Sequence, residues 1–533
     1  MDIGEQFRKG AFWIYLQSWI STVFTFAAGM IMARLLTPAD FGIFAVVTAI
    51  TSLLGKQVRF GLPEALMRTE STDRESVDAA FWLMLGMAGV CAFVVIISAD
   101  AITEFYHDSR AYWLYVGTGL LLLLQPPSIV AQNILRRDMR QDIVERIILV
   151  ANLATLPVSL YAAYAGAGPY ALLAGNMIGT MVQLLLSMIY ARWFPRLAFA
   201  ASAARRILSY GWRMHILTSL ALASNKVDAM ILGRIAGTSI LGLYNRAANT
   251  ARLPEDELLQ RLYTLILPAF FRLSGESNRT TLAVQKLITP VTTTIYLFLA
   301  MIAVSPEPFL HLLYGSQWVS AAPALTILTI AVAISTLKGI SSMIAGAQGH
   351  VGRQIPVELF NLVITVVFVL SGAMLWGLLG VAWSMVLRNA MVLLLWLFVV
   401  TRHLHFSAGI ILVASLPAIC AFGVTMALSP KLLLFVPGLE VVHAGIASRF
   451  DLPERWIGYL ETVVNSTLGE SLYHLCTGFF LAFVIYVLAW LIVVWPFRNR
   501  HVGIQTTFEL VGSVFGRLSR LLLPKTQIKK TVS

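Results

Sequence analysis

Seven ionisable side chains stand inside long apolar stretches of this sequence: Lys226, Asp228, Arg252, Glu255, Asp256, Lys338 and Arg388. An unpaired charge in hydrocarbon costs at least about 2.5 kcal/mol, so each needs a partner, an aqueous cavity or a ligand. Lysine and arginine so placed can replace water around a phosphate or carboxylate. A carboxylate in a poorly solvated cavity can bind a proton or Na⁺ in one state and release it in another. Lys226 and Asp228, in SNKVDAM, are two residues apart and point to different helix faces, so they meet other groups rather than each other. Around Pro254, Arg252 with Asp256 and Glu257 with Arg261 have the i, i+4 spacing of intrahelical pairs, which leaves Glu255 over. Ion coupling through Glu255, Asp256 and Asp228, and a purely structural role for these charges, both fit. Pro254 lacks an amide donor and predicts a kink near mid-membrane.

Arg34 and Arg234 fall at corresponding outer ends of two predicted helices. They suit the mouth of a cavity for pyrophosphate and acidic sugars, and equally suit snorkelling or the capping of helix carbonyls. Lys338 in the inner half of one helix, and Arg388 followed by Asn389 near the middle of another, favour cavity lining. Lys56 lies nearer a helix end and fits either cavity or interface. Glu145 and Glu358 are expected to cap helix N-termini. Gln125, Pro126 and Pro127 predict a bend at mid-depth.

The elements that position these groups follow from composition. The 533-residue chain is 58% hydrophobic and 12% charged, and apolar stretches long enough to cross a bilayer recur from end to end. The expected fold is an all-α polytopic membrane protein. Predicted crossings lie near 11–33, 42–60, 78–99, 111–133, 143–164, 170–192, 212–233, 243–267, 284–304, 322–346, 355–376, 378–400, 408–428 and 473–495, about fourteen in all. The first should stay in place, because it is too long for a signal-peptide core and no small-residue cleavage site follows. The eighth is the most polar.

Basic residues test that count. With both termini cytoplasmic, the inner segments hold Arg8 and Lys9, Lys56 to Arg74, Arg136 to Arg140, Arg192 to Arg206, Arg261 to Lys286, Arg353, Arg402 and the tail from Arg498 to Lys530. Three outer connections hold no Lys or Arg, although Arg34, Arg110, Arg234, Lys431, Arg449 and Arg455 do fall outside. The bias obeys the positive-inside rule. The net charge of +12 then reads as basic loops against anionic lipid, with no nucleic-acid partner. Cys91, Cys420 and Cys476 lie in apolar stretches without paired or metal-ligand spacing and are expected to pack as small hydrophobes. No metal or other cofactor is expected.

An internal repeat supports the same arrangement. Met30, Ile31, Arg34 and Gly42 reappear as Met230, Ile231, Arg234 and Gly242, and Arg140, Gln141 and Glu145 as Arg353, Gln354 and Glu358. An offset of six helices preserves direction, which predicts two parallel six-helix lobes plus two extra helices. The expected divisions are an N-lobe over 1–206, a C-lobe over 207–405, the last two helices over 406–497 with an outer segment at 429–470, and a basic amphipathic tail over 498–533. Trp456, Leu460, Val463 and Val464 suggest an interfacial helix within the outer segment. Phe508, Val511, Phe515, Leu518 and Leu522 suggest one on the inner leaflet.

Three motifs, ARLLTPADFGIFA with GLPEALMR, NKVDAMILGRIAGTSILGLYNRA, and PFLHLLYGSQWVSAAPAL, resemble Wzx-type polysaccharide flippases of the multidrug/oligosaccharidyl-lipid/polysaccharide exporter superfamily, over about residues 5–405. The resemblance implies a two-lobed, non-enzymatic exporter in the bacterial inner membrane. It would move undecaprenyl-diphosphate-linked oligosaccharide outward by alternating access, for exopolysaccharide, capsule or O-antigen synthesis. Substrate would meet Lys226, Arg252, Arg388 and Lys338, with Arg34 and Arg234 at the mouth. Membrane lipids, and a polymerase or chain-length regulator at the tail or outer helix, are the other expected partners. Two further readings are a polymerase or glycosyltransferase of the same pathway and a small-molecule exporter. The first would need outer-face acid or metal-binding groups, and Asp100, Glu104, His107, Asp108, His443 and Asp451 are scattered. The second would show drug efflux without a polysaccharide defect.

Overall fold

Apolar runs of this length leave backbone N–H and C=O groups without water, so they must close their hydrogen bonds internally, as a helix does. A computed structural model describes residues 3–60, 74–196, 200–273, 277–347, 351–403, 408–433 and 466–494. Among these residues all the α-elements are helices, in the order α1 (Ile3–Leu35), α2 (Pro38–Arg59), α3 (Arg74–Tyr106), α4 (Ala111–Arg137), α5 (Gln141–Tyr164), α6 (Tyr170–Ala191), α7 (Ala201–Ser224) and α8 (Val227–Ile235). There follow α9 (Thr238–Leu273), α10 (Ser277–Val304), α11 (Pro306–Tyr314), a 3₁₀ turn (Ser316–Ala321), α12 (Ala322–Ala347), α13 (Val351–His403), α14 (Ala408–Leu433) and α15 (Thr467–Val494).

Ten described helices are long and apolar enough to cross a membrane, or eleven if α10 and α11, bent by 88°, form one span. The predicted pair at 355–376 and 378–400 corresponds to two helical stretches of α13, separated by a non-helical kink at Trp376 and Gly377, where φ is 55° at the glycine. Within α1 the described stretch Ile20–Leu35 is a shorter apolar helix. The polar eighth prediction is α9, one helix of 36 residues, roughly 54 Å long at 1.5 Å per residue. It runs unbroken through Pro254, and α4 likewise carries Pro126 and Pro127 inside one helix.

The predicted helix at 212–233 is instead two. α7 ends at Ser224 and α8 starts at Val227, with Lys226 in a non-helical conformation between them. Asp228 fixes the new start, because its carboxylate accepts the Ala229 amide at 2.8 Å. The capping expected of Glu145 and Glu358 does not occur. Their helices begin at Gln141 and Val351, which puts both beyond the first turn, where Glu145 accepts from Gln141 at 2.6 Å and Glu358 from Asn361 at 3.2 Å. The outer amphipathic segment around Trp456 and the basic tail lie outside the described residues.

The chain forms two compact units whose boundaries fall inside helices. The first comprises 1–250, 307–328 and 351–388, and the second 251–306, 329–350 and 389–533. Within the first unit, α5 packs on α1 and α6, α4 on α2, α3 and α6, and α2 also on α3 and α8. The start of α2 is fixed by a capping box in which Thr37 and Asp40 exchange hydrogen bonds, with Pro38 in the first turn. Arg110 ties that end to the next helices, donating to Asp40 at 2.7 Å and to Asp108 at 2.8 Å, while its carbonyl accepts from Tyr170 Oη at 3.0 Å. In the second unit α10 packs on α14 and α15. Tyr296 donates to the Ala333 carbonyl at 2.6 Å and Tyr486 to the Thr293 carbonyl at 2.9 Å, so these buried hydroxyls are satisfied by neighbouring helices.

The repeated glycines turn out to touch. A Cβ on Gly42 would strike the Thr238 carbonyl, and one on Gly242 the Pro38 carbonyl, so α2 and α9 cross backbone to backbone near their first turns. Backbone atoms cannot swing away as a side chain does. Gly242→Ala is therefore expected to destabilise the protein by about 1–3 kcal/mol, whereas Gly86→Ala, where an added methyl meets nothing within 4 Å, is expected to be neutral or mildly stabilising. Thermal unfolding of the purified chain in lipid nanodiscs checks this, and equal midpoints for the two variants would contradict the close crossing.

Candidate functional site

Three helices of the first unit carry polar stripes at helical spacing. On α2 these are Thr48, Ser52, Lys56 and Arg59; on α4, Thr118, Gln125, Ser128, Gln132 and Arg136; on α6, Asn176, Thr180 and Gln183. Each set steps by three, four or seven residues and so lies along one face. Packing turns the stripes toward one another. They line two adjoining cavities of about 430 and 420 Å³, which share Lys56, Arg59, Gln125 and Thr180 and together form one groove.

The groove spans Thr118 to Arg136 along α4, a rise of roughly 27 Å, most of a bilayer core. Its charges are confined to one end. Lys56 and Arg59 stand in the last turn of α2 and Arg136 in the last turn of α4, the ends that charge bias assigns to the inside. Further along come hydroxyls and amides, and none of the described lining residues is acidic. The buried Glu145 lies beside the groove, in the field of Arg136. Some of the polar lining is fixed in place: Gln132 donates to Ser128 at 3.1 Å and to Ser187 at 3.2 Å, and Asn133 to the Ile129 carbonyl at 2.8 Å. Two buried polar atoms of the lining, Asn133 Oδ1 and Arg136 Nε, have no hydrogen-bond partner among the described residues. Such an arrangement can hold an anion at one end and a neutral, hydroxyl-rich group along its length.

Of the charges singled out from sequence, Lys56 lines the groove and the others occupy other places. Arg388, 2% exposed, donates to the Ser224 carbonyl at 3.3 Å, the last residue of α7, and so supports the helix break. At the same break stand Lys226 and Asp228, and the second carboxylate oxygen of Asp228 accepts from Tyr244 at 2.9 Å. Arg34 donates to the Leu312 carbonyl near the end of α11 at 2.6 Å. The Arg234 guanidinium lies 4.9 Å from the Phe105 ring centre. In the second unit, Glu255 hydrogen-bonds Ser335 and lies in the combined field of Lys338, Arg252 and Asp256. Structure therefore gathers Glu255, Asp256, Arg252 and Lys338 into one cluster, and Lys226, Asp228 and Arg388 at one break. Arg34 and Arg234 go to separate contacts.

One strongly placed cation carried no sequence expectation of its own. Arg246 of α9 lies against three aromatic rings, 4.3 Å from Phe41, 4.6 Å from Tyr314 and 5.3 Å from Trp318. It also hydrogen-bonds Tyr314, and Tyr314 shares a 3.0 Å hydrogen bond with Thr250. The same aromatic cluster is sewn to the end of α1, where Trp318 donates to the Ala33 carbonyl at 2.8 Å and Gln317 to the same oxygen at 2.6 Å. Only folding brings residues 33, 41, 246 and 318 together. The stripes on α2, α4 and α6 were visible as periodic polar positions, and sequence could not say that they share a groove.

Residues 31–323 match the family described as polysaccharide biosynthesis protein. Among curated relatives, the succinoglycan biosynthesis transport protein ExoT of Rhizobium meliloti is 27% identical over 310 residues, 57% of this chain and 62% of that protein. The match thus spans less than two thirds of ExoT. The lipopolysaccharide biosynthesis protein WzxC of Escherichia coli is 20% identical over 408 residues, 75% of this chain and 82% of that protein. Among solved structures, the lipid II flippase MurJ in an inward closed conformation aligns with a TM-score of 0.62 at 13% identity, covering 91% of this chain and all of that one, so the fold is shared.

A guanidinium held by three rings instead of a carboxylate gives a measurable coupling. In a double-mutant cycle combining Arg246→Gln with Trp318→Leu, unfolding free energies are expected to be non-additive by about 1–2 kcal/mol. Strict additivity would show that the aromatic faces do not hold the cation.

Proposed function

We propose, since this chain belongs to the polysaccharide biosynthesis protein family, that it is a flippase for lipid-linked oligosaccharide, a transporter rather than an enzyme. The observation that carries the reading is the polar groove of the first unit, with cations at one end and neutral polar groups beyond. In this reading the cation-bearing end opens toward the cytoplasm of a bacterium, and the chain resides in its inner membrane with both termini inside.

Each part of an undecaprenyl-diphosphate-linked oligosaccharide has a physical counterpart. The diphosphate exchanges water for Lys56, Arg59 and Arg136, which occupy helix ends at the depth of lipid headgroups. The sugars lie along the groove, where amides and hydroxyls replace their hydration. The prenyl chain stays in the hydrocarbon. Alternating access then moves the headgroup across while the charges remain satisfied. Lys338, Arg252, Lys226, Arg388, Arg34 and Arg234 act on the substrate only if the transport cycle brings it to them. Glu255 is the coupling carboxylate of this reading, exchanging the Lys338 and Arg252 field for a proton or Na⁺. Asp256 tunes that field, and Asp228 joins the coupling if its Tyr244 contact opens. A polymerase or chain-length protein is the partner proposed for the tail and the outer segment.

The test compares complete lipid-linked oligosaccharide on the two membrane faces, using a periplasmic probe that cannot cross. Deletion is expected to leave complete units on the inner face and abolish surface polysaccharide. Lys56→Gln with Arg59→Gln and Arg136→Gln is expected to cut outer-face signal by at least about tenfold at normal protein levels, since each charged hydrogen bond lost is worth 1.5 kcal/mol or more. Complete but unpolymerised units still reaching the outer face in the deletion strain would replace the flippase reading with a polymerase.

A further inference from the structure

One stretch of chain sits in the first unit although both of its neighbours belong to the second. Residues 251–306 and 329–350 are second-unit chain, and Glu307–Leu328 between them belongs to the first. Its opening part, α11 with the 3₁₀ turn, leaves α10 through a bend of 88° and turns again at Gly315, whose φ of 101° only glycine adopts freely. This segment docks on the end of α1 and the start of α2. A helix leaves its last carbonyls without intrahelical donors, and here the segment supplies them. Gln317 donates to the Ala33 carbonyl at 2.6 Å and to the Leu36 carbonyl at 3.1 Å, and Trp318 donates to the Ala33 carbonyl at 2.8 Å. α1 answers through Arg34, which donates to the Leu312 carbonyl at 2.6 Å. Tyr314 and Trp318 lie against Arg246, and Phe41 of α2 adds the third ring and meets Trp318 edge to face at 5.5 Å.

The chemistry of these contacts suits release. The hydrogen bonds from Gln317, Trp318 and Arg34 all run from side chains to backbone carbonyls at a helix end, and charge bias assigns that end to the outside, where water can take the place of either partner. Arg246 is gripped by ring faces and by Tyr314, yet its Nη2 has no hydrogen-bond partner among the described residues. A guanidinium freed from the rings therefore exchanges cation–π attraction for hydration that it lacks here. Because both flanks of the segment continue into second-unit chain, a displacement of α10 or of the later part of α12 reaches it through the backbone itself.

We propose that residues 307–321 form a clip, docked on the ends of α1 and α2 in this state and released from them during transport, with Arg246 the cation that two of its aromatic side chains grip. The proposal rests on the flippase reading for the step at which the clip opens, and adds the segment and the residue that control the opening. Arg246 acts here as a positioning residue, through the clip and not on the substrate.

Two measurements test it, both in the full chain with Cys91, Cys420 and Cys476 replaced by alanine. In the first, Arg34→Cys and Gln317→Cys, at two exposed positions, are joined in cells by a short, reducible bifunctional thiol reagent. Linking is expected to cut the outer-face signal of complete lipid-linked oligosaccharide at least about tenfold relative to the unlinked pair, and reduction to restore it. In the second, Leu310→Cys reports release in lipid nanodiscs, because Leu310 is 0% exposed and lies one turn from Tyr314 on the same face of α11. Adding Arg246→Gln is expected to speed its labelling by a maleimide about tenfold, and Arg246→Lys to speed it less. Ala88→Cys, equally buried on α3, is expected to label at the same rate with either residue at 246. A linked pair that still transports, a loss that reduction does not reverse, or failure of the pair to link would overturn the clip. So would labelling at Leu310→Cys that Arg246→Gln leaves unchanged or raises only in step with Ala88→Cys. Absence of transport by the wild type would overturn the flippase reading instead, and the labelling would still decide the clip.

Discussion

A charge or hydrogen-bonding group inside an apolar slab must be answered from within the protein, and the described structure is organised around how each is answered. Water is the ordinary partner of an arginine or an amide, and hydrocarbon removes it. Arg388 takes the carbonyl left over where α7 stops. Asn389 takes the Ala331 carbonyl at 2.8 Å. Arg246 takes three aromatic faces, and Asp228 an amide and a tyrosine hydroxyl. At the end of α7 one element's irregularity supplies another's partner, so that break and the buried Arg388 belong to one solution.

The groove between α2, α4 and α6 is the place where that rule is met differently. Its polar groups are numerous and line space, and two of its buried atoms lack partners. Amides and cations gathered around a cavity have room for something polar, whether water or substrate. Lys56, Arg59 and Arg136 stand in the last turns of their helices, where a membrane-crossing chain meets headgroups and water.

The contacts at the opposite end have the reverse character. Gly42 and Gly242 bring two backbones together, Arg34 and Trp318 fasten helix ends, and Arg246 is wrapped in rings. Dense packing of this kind transmits displacement in discrete steps because interiors resist continuous deformation. A polar groove and a close backbone crossing thus lie along the same helix, α2.

Sequence by itself determined the class of molecule. Apolar length demanded membrane helices, the basic residues gave an expected orientation, and the repeat of Gly42 as Gly242 marked two positions that do meet in space. The division of 355–376 from 378–400 falls where α13 turns, at Trp376 and Gly377. Sequence misjudged local geometry where tertiary partners override propensity: the expected single helix through Lys226 is broken, and Arg388 satisfies the Ser224 carbonyl that the break exposes. It ranked isolated charges above periodic neutral polar residues, because a lone arginine announces its cost while Gln125 or Asn176 announces little. Which stripes face one another, which arginine meets rings and which meets a carbonyl, were decided only by packing, because those contacts join residues up to hundreds of positions apart and depend on the rotation of each helix about its own axis.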